Sequence, residues 1–222
     1  MKVSTSIMCV DFGRMAQDLA LLNEFTDAYH WDIMDGHYVP NLALNLDMIA
    51  SLRDDLKQPI HAHLMVTRPQ DYVQQLLELG VEEIIFHLDT VNAQFFRLRN
   101  LIKDAGRKIG IVLNPVERPA DLEYIIDELD SITVMTVDPG FAGQPFIQGM
   151  VKKIAQLQDL KQRKGYTYEI EVDGGVNQRT LAMLMEAGAE RFVLGSSGLF
   201  NLGSTLEESI AIARSYIPFK QG

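Results

Sequence analysis

The sequence predicts an α/β fold, a single (β/α)8 TIM barrel over residues 1–222, and three observations carry that expectation. Short runs rich in Val and Ile alternate with stretches whose apolar residues recur at helical spacing, eight times over. Shared evenly, the chain gives roughly 28 residues per unit, which suits a compact barrel. The turn after the first strand reads Cys9-Val10-Asp11-Phe12-Gly13, without the Gly-x-Gly-x-x-Gly of an open, doubly wound sheet.

Taken in order, Val3–Met8 is read as the first strand and Met15–Phe25 as the helix behind it. The second strand, Tyr29–Ile33, alternates between two faces: His30, Asp32 and Met34 on one, Trp31 and Ile33 on the other. Its helix is Met48–Leu56. Ile60–Leu64 puts His61, His63 and Met65 on one face and precedes a helix at Gln70–Leu79, closed by Gly80. Glu83–Phe86 leads to Ala93–Ala105, closed by Gly106, and Ile109–Leu113 leads to Ala120–Leu129. Ser131–Met135 is followed by Ile147–Lys164, closed by Gly165. Glu169–Val172 is followed by Gln178–Ala187 with Asn177 as its cap and Gly188 at its end. Arg191–Leu194 and Leu206–Tyr216 complete the eighth unit.

Composition narrows the function classes. At 47% hydrophobic and 23% charged the chain is an ordinary globular protein, and no apolar run reaches the ~18 residues of a membrane span. The N-terminus is too poor in apolar residues for a signal peptide, and the single cysteine, Cys9, fits a reducing cytoplasm. A net charge of −10 argues against nucleic acid or an anionic membrane as partner. It also means that an anionic substrate has to be held by local backbone N–H groups.

The active face of such a barrel is the C-terminal end of its strands. There the chain places Ser6, then His30, Asp32 and Met34, then His63 and Met65, then His87, Asn114 and Met135. Three glycine-rich loops follow the last three strands: Gly140-Phe141-Ala142-Gly143, Gly174-Gly175 and Gly195-Ser196. Phosphate commonly sits between the loops after strands 7 and 8, on backbone N–H groups. Three plain turns would look the same one at a time; three on one rim form a cradle.

His30, Asp32, His63 and Asp173 make a candidate two-histidine, two-carboxylate metal set. That donor mixture suits one divalent cation such as Zn, Fe, Mn or Co. The bland account is a pair of hydrogen-bonded core histidines. His37, His61 and His87 compete as ligands, and spacing does not choose among them. Asp32 and Asp173 stand on well-separated strands and can face each other across the mouth, as a proton removed on one side and returned on the other requires. Asp35 reads as a turn cap. Met34, Met65 and Met135 read equally as barrel filling or as an aprotic lining of the reacting centre. A cation that polarises a ketone and holds an enediolate makes the α proton removable. Carboxylates on opposite faces then give epimerisation.

With these residues in view the chain resembles the ribulose-phosphate 3-epimerase family along nearly its whole length, a barrel of the ribulose-phosphate-binding type. The resemblance is carried by Ser6, by His30-Trp31-Asp32-Ile33-Met34-Asp35-Gly36-His37-Tyr38-Val39-Pro40-Asn41, by His63-Leu64-Met65, by Val137 through Gln144, and by Val172-Asp173-Gly174-Gly175. It implies metal ligation by His30, Asp32, His63 and Asp173, and so selects His63 over His61. It implies Asp32 as proton acceptor and Asp173 as donor in one direction, with the roles exchanged in reverse. Ser6, His63 and the three methionines would contact a phosphorylated ketose, and the glycine loops would hold its phosphate. Relatives suggest a homo-oligomer, dimer or hexamer.

Four departures resemble the allulose-phosphate type within that family. Ala142-Gly143 stands for the usual two glycines, and the last loop, Gly195 to Phe200, is one residue longer. Cys9 replaces a small residue, and Val66-Thr67-Arg68-Pro69-Gln70-Asp71-Tyr72 follows strand 3. The expected reaction interconverts D-allulose 6-phosphate and D-fructose 6-phosphate. The alternatives are D-ribulose 5-phosphate to D-xylulose 5-phosphate, or a sugar-phosphate-binding barrel without catalysis. A decarboxylase of the superfamily would want Asp-x-Lys-x-x-Asp, where Asp32 is followed by Ile33-Met34. A Schiff-base aldolase would want a rim lysine, and Lys108 precedes its strand.

Overall fold

All eight expected strands form, and each is parallel to its neighbours. The computed structural model describes residues 1–218. The strands are β1 (Lys2–Ser6), β2 (Ala28–Met34), β3 (Ile60–Met65), β4 (Glu83–His87), β5 (Lys108–Leu113), β6 (Ser131–Met135), β7 (Glu169–Asp173) and β8 (Arg191–Leu194). They run in sequence order around a closed barrel, with β8 pairing back onto β1. Strands covered on both faces need apolar residues throughout, and all seven residues of β2 are buried.

The helices are α1 (Met15–Leu22), α2 (Leu46–Ser51), α3 (Gln70–Glu78), α4 (Leu88–Val91), α5 (Phe95–Asp104), α6 (Met150–Lys164), α7 (Leu181–Glu186) and α8 (Leu206–Tyr216). Their apolar faces cover the outward side chains of the barrel, and this shell is the main core, with Tyr29, Trp31, Phe86 and Phe192 all fully buried. Each Ile or Leu fully buried there contributes roughly 1.5–3 kcal/mol. Inside the barrel the filling is thinner. Ile85, Val112, Met135 and Val137 form one small cluster, and Met34, Val39 and Met65 form another at the mouth.

Below that mouth lies a polar floor that the sequence pattern did not announce. Arg191 donates from Nε to Glu171 Oε2 at 3.0 Å and from Nη1 to Glu83 Oε2 at 2.7 Å, and its Nη2 lies 2.7 Å from His61 Nδ1. Thr133 Oγ1 donates to Glu171 Oε1 at 2.9 Å, and Ser131 donates to Glu83. All of these side chains are buried. Gly110 on β5 leaves the room that the Ser131 hydroxyl occupies.

Three expectations need correction. The helix expected at Ala120–Leu129 is two 3-10 turns, Pro119–Leu122 and Ile126–Glu128. Leu122, Ile126 and Leu129 have helical spacing, but all three are buried in the 3-10 geometry too, so packing does not demand a helix. Glu123 and Asp127, four apart, would repel along an α-helix. The first strand stops at Ser6 rather than Met8, because Ile7–Cys9 makes a 3-10 turn at the barrel mouth. Asn177 caps a turn instead of the helix: its Oδ1 accepts from Arg179 N at 2.9 Å, and α7 starts only at Leu181.

Candidate metal and active site

The register of the strands builds the site. In the β2–β3 pairing His30 lies beside His61, Asp32 beside His63 and Met34 beside Met65. Across the barrel, β6 and β7 set Met135 beside Asp173. His30, Asp32, His63 and Asp173 thereby each offer one atom to a group whose members all lie within 4.8 Å of one another. His30 Nε2 is 3.1 Å from His63 Nδ1. Asp32 Oδ1 is 3.3 Å from each of these nitrogens, and Asp173 Oδ2 is 3.5 Å from each.

The four groups also set one another's charge. Burial by itself would lower His30, but the carboxylates of Asp32 and Asp173 outweigh it and hold the imidazole well above its ordinary range. His63 is raised in the same way, against its burial, by hydrogen bonding to Asp173 and Asp32. Burial would raise both aspartates, and the two histidines hold them below the usual carboxylate range instead. Ser6 Oγ donates to Asp32 Oδ2 at 2.8 Å, so the two carboxylate oxygens of Asp32 have different surroundings.

Above the cluster opens a cleft. Ser6, Asp32, Met34, Met65, Met135 and Asp173 line it, as do Gly140, Phe141, Ala142 and Gly143, Gly174 and Gly175, and Gly195 and Ser196. His63, expected to touch substrate as well, is fully buried and lies off the cleft surface. Met8, Val137, Gln144, Val176 and Ser197 also line the cleft, within or next to stretches that the sequence singles out; Val193 carried no comparable signal. No Lys or Arg lines the cleft among the described residues, so backbone groups are left to meet an anion. Asn41 Nδ2 donates to Gly140 O at 2.7 Å, tying the turn after β2 to the loop after β6. Cys9 also lines the cleft, but burial and the nearby Asp32 push its thiol up to about 11, which leaves a neutral side chain.

The competing histidines go elsewhere. His37 is exposed and folded onto Asp35, whose Oδ1 accepts from His37 N at 2.9 Å and Tyr38 N at 2.8 Å. Asp35 Oδ2 accepts from Thr67 N at 2.7 Å, so this carboxylate pins a turn, and those N–H groups hold it low against its partial burial. His61 faces Arg191 on the floor. His87 stacks on His63 with ring centroids 4.9 Å apart, outside the four-atom group.

The ribulose-phosphate 3 epimerase family model matches residues 2–200. The chain belongs to that family. It is 38% identical over 197 residues to the ribulose-phosphate 3-epimerase of Serratia marcescens, covering 88% of this chain and 93% of that protein. It is 37% identical to the enzyme of that name from Escherichia coli strain K12, covering 88% of this chain and 87% of that one. Among solved structures, the phosphoribosyl anthranilate isomerase of Thermococcus kodakaraensis superposes with a TM-score of 0.66 at 15% identity, covering 100% of this chain and 99% of that one. That similarity supports the barrel alone. The protein is thus an epimerase of the isomerase class, and a phosphorylated sugar is the substrate class that its family implies. No helix among the described residues is long and apolar enough to cross a membrane.

Whether this epimerase's residues suit a divalent cation can be tested on distances. Nitrogen and oxygen ligands about 2.0–2.2 Å from a metal lie roughly 3–3.5 Å from one another in a tetrahedral set. The observed separations of 3.1, 3.3 and 3.5 Å fall there. Two imidazoles and two carboxylates are also a suitable donor mixture.

Proposed function

We propose that this epimerase inverts C3 of D-allulose 6-phosphate to give D-fructose 6-phosphate, with Asp32 and Asp173 exchanging protons with the two faces of that carbon. The observation that carries this reading is the convergence of two carboxylates from β2 and β7 on one point beneath the cleft.

A divalent ion (Zn, Fe, Mn or Co) held by His30, Asp32, His63 and Asp173 would polarise the C2 ketone and stabilise the negative charge left on the substrate. Asp32 Oδ2, the oxygen that Ser6 holds apart from the histidines, takes the proton from C3. The electrons of the broken C–H bond form the C2–C3 double bond, and the carbonyl pair moves onto the C2 oxygen. Asp173, which has to enter the step protonated with a bound cation in place of the histidine protons, then gives that proton to the opposite face of C3, and the carbonyl re-forms. In the reverse direction the roles exchange. Met34, Met65 and Met135 keep competing proton donors away from the carbanionic carbon. The backbone N–H groups of Gly174-Gly175 and Gly195-Ser196 hold the phosphate, which suits a chain of net charge −10.

The six-carbon substrate is supported by the last loop. Its extra residue is absorbed as a π turn at Ser196–Phe200, with Asn201 N donating to Ser196 O at 2.8 Å, and Ser196 and Ser197 line the cleft. A second reading, D-ribulose 5-phosphate to D-xylulose 5-phosphate, is favoured by the names of the relatives at 35–38% identity. A cytoplasmic homo-oligomer, dimer or hexamer, belongs to the same proposal, supported by the lone Cys9 and the family resemblance.

Turnover of the two ketose phosphates side by side decides between the substrates: the proposal expects the higher kcat/KM with D-allulose 6-phosphate. In D2O the preferred substrate should gain deuterium at C3, and Asp32→Asn and Asp173→Asn should each lose roughly 10²–10⁴-fold in that exchange. Exchange retained in both variants would end the two-carboxylate scheme. Substrate binding without any exchange in the wild type would favour the non-catalytic barrel.

A further inference from the structure

Behind the ligand His63 runs a line of polar side chains that the reaction does not use. His63 turns Nδ1 toward the four-atom group and Nε2 toward His87, whose Nε2 is 2.8 Å away. His87 Nδ1 and Asn114 Oδ1 are both buried and neither has a hydrogen-bond partner; Tyr38 touches both side chains and so brings Asn114 beside His87, where it acts on the imidazole's basicity. Asn114 Nδ2 donates to Tyr38 Oη at 2.8 Å, and Tyr38 Oη donates to Asp89 Oδ1 at 3.0 Å. Asp89 is exposed, so the line runs from the metal cluster to the surface.

Hydrogen-bond bookkeeping gives this line one direction. The Asp89 carboxylate only accepts, so the single Tyr38 proton goes to it. Tyr38 Oη must then accept from the Asn114 NH2, which turns Asn114 Oδ1 to His87. That oxygen only accepts, so His87 carries its proton on Nδ1 and presents a bare Nε2 to His63. His63 therefore keeps a proton on Nε2, so Nδ1 is the nitrogen that gives up its proton when a cation binds. Reversing the line would turn the Asn114 oxygen toward Tyr38 Oη with no proton between them.

We infer that His87, Asn114 and Tyr38 are positioning residues that fix His63 as the tautomer able to bind a metal through Nδ1. This rests on the metal reading of His63. Several features brace the line. Asn114 O accepts from Lys153 Nζ at 2.6 Å, Asn114 N donates to Glu117 Oε2 at 2.6 Å, and the Tyr38 ring packs on His87 at 4.7 Å between centroids. Each link polarises the next, so the outer residues also raise the donor strength of Nδ1.

The test is a Co²⁺ titration of the metal-stripped full chain against a competing chelator, read by the visible d–d band, with the metal-free thermal midpoint followed in parallel. His87→Phe is expected to weaken Co²⁺ binding about 10–100-fold and to move the band. His87→Gln, whose amide accepts from His63 and donates to Asn114, should recover most of the affinity. Tyr38→Phe should lose affinity in the same direction but less, with the metal-free midpoint close to wild type. If His87→Phe fails to fold, His87→Gln and Tyr38→Phe decide. Wild-type affinity and an unmoved band in the folded variants overturn the inference while leaving the metal site intact. A wild-type chain that takes up no Co²⁺ overturns the metal reading as well.

Discussion

At Gly174 the backbone has φ +101°, and a side-chain Cβ would come 2.5 Å from Val137 Cγ2. Both facts demand glycine, one through the left-handed conformation and one through contact. Gly174→Ala should destabilise the chain by about 1–3 kcal/mol, measured by urea unfolding. Gly106→Ala is the control: its φ is +69° but nothing lies within 4 Å of the added carbon, so it should lose less. At this scale the sequence was informative where residue type is rare in its setting. Two aspartates, two histidines and paired glycines at strand exits point to chemistry. It put His87 and Asn114 on the rim and Tyr38 in the turn after β2, but it did not join them, because partners in a hydrogen-bonded line need only meet in space.

Among the elements, the barrel floor ties four strands by charge. β8 supplies Arg191, β4 Glu83, β7 Glu171 and β3 His61. Removing one member of a buried ion cluster strands the rest, so Arg191→Met should cost roughly 3–5 kcal/mol, read as a lower denaturant midpoint. Adding Glu83→Gln and Glu171→Gln to Arg191→Met should recover part of that loss, because the buried charges go together. The element reading from sequence erred where local pattern permits more than one backbone. The Leu122, Ile126 and Leu129 spacing allows α-helical or 3-10 geometry, and the 3-10 turns bury all three. Likewise the glycine and serines of the last loop were visible in the sequence, while the π turn at Ser196–Phe200 was not.

For the whole molecule the same floor predicts a response to acid. Burial would raise Glu83, but Arg191 and His61 hold it at about 2, below its ordinary 4.5. Its stabilising contribution is present above pH 4.5 and is lost as the pH falls toward 2. Burial lowers His61 from 6.5 to about 4. Between those values the unfolded chain binds a proton that the folded chain refuses, so stability falls as the pH drops from 6.5 to 4. Urea midpoints across that range should fall less steeply in His61→Gln than in wild type; parallel profiles would show that His61 does not titrate this way. By itself the sequence determined the eightfold βα order, the inward face of β2, the aspartate pair and the glycine rim. Side-chain periodicity and turn chemistry are local and can be read along one strand. Tertiary structure decided which histidine joins the cluster. His61 and His63 share a face but stand two residues, about 6.6 Å, apart along β3. Only the register that sets Asp32 beside His63 puts one at the mouth and leaves the other on the floor. That register is held by contacts between strands, which spacing along the chain does not encode.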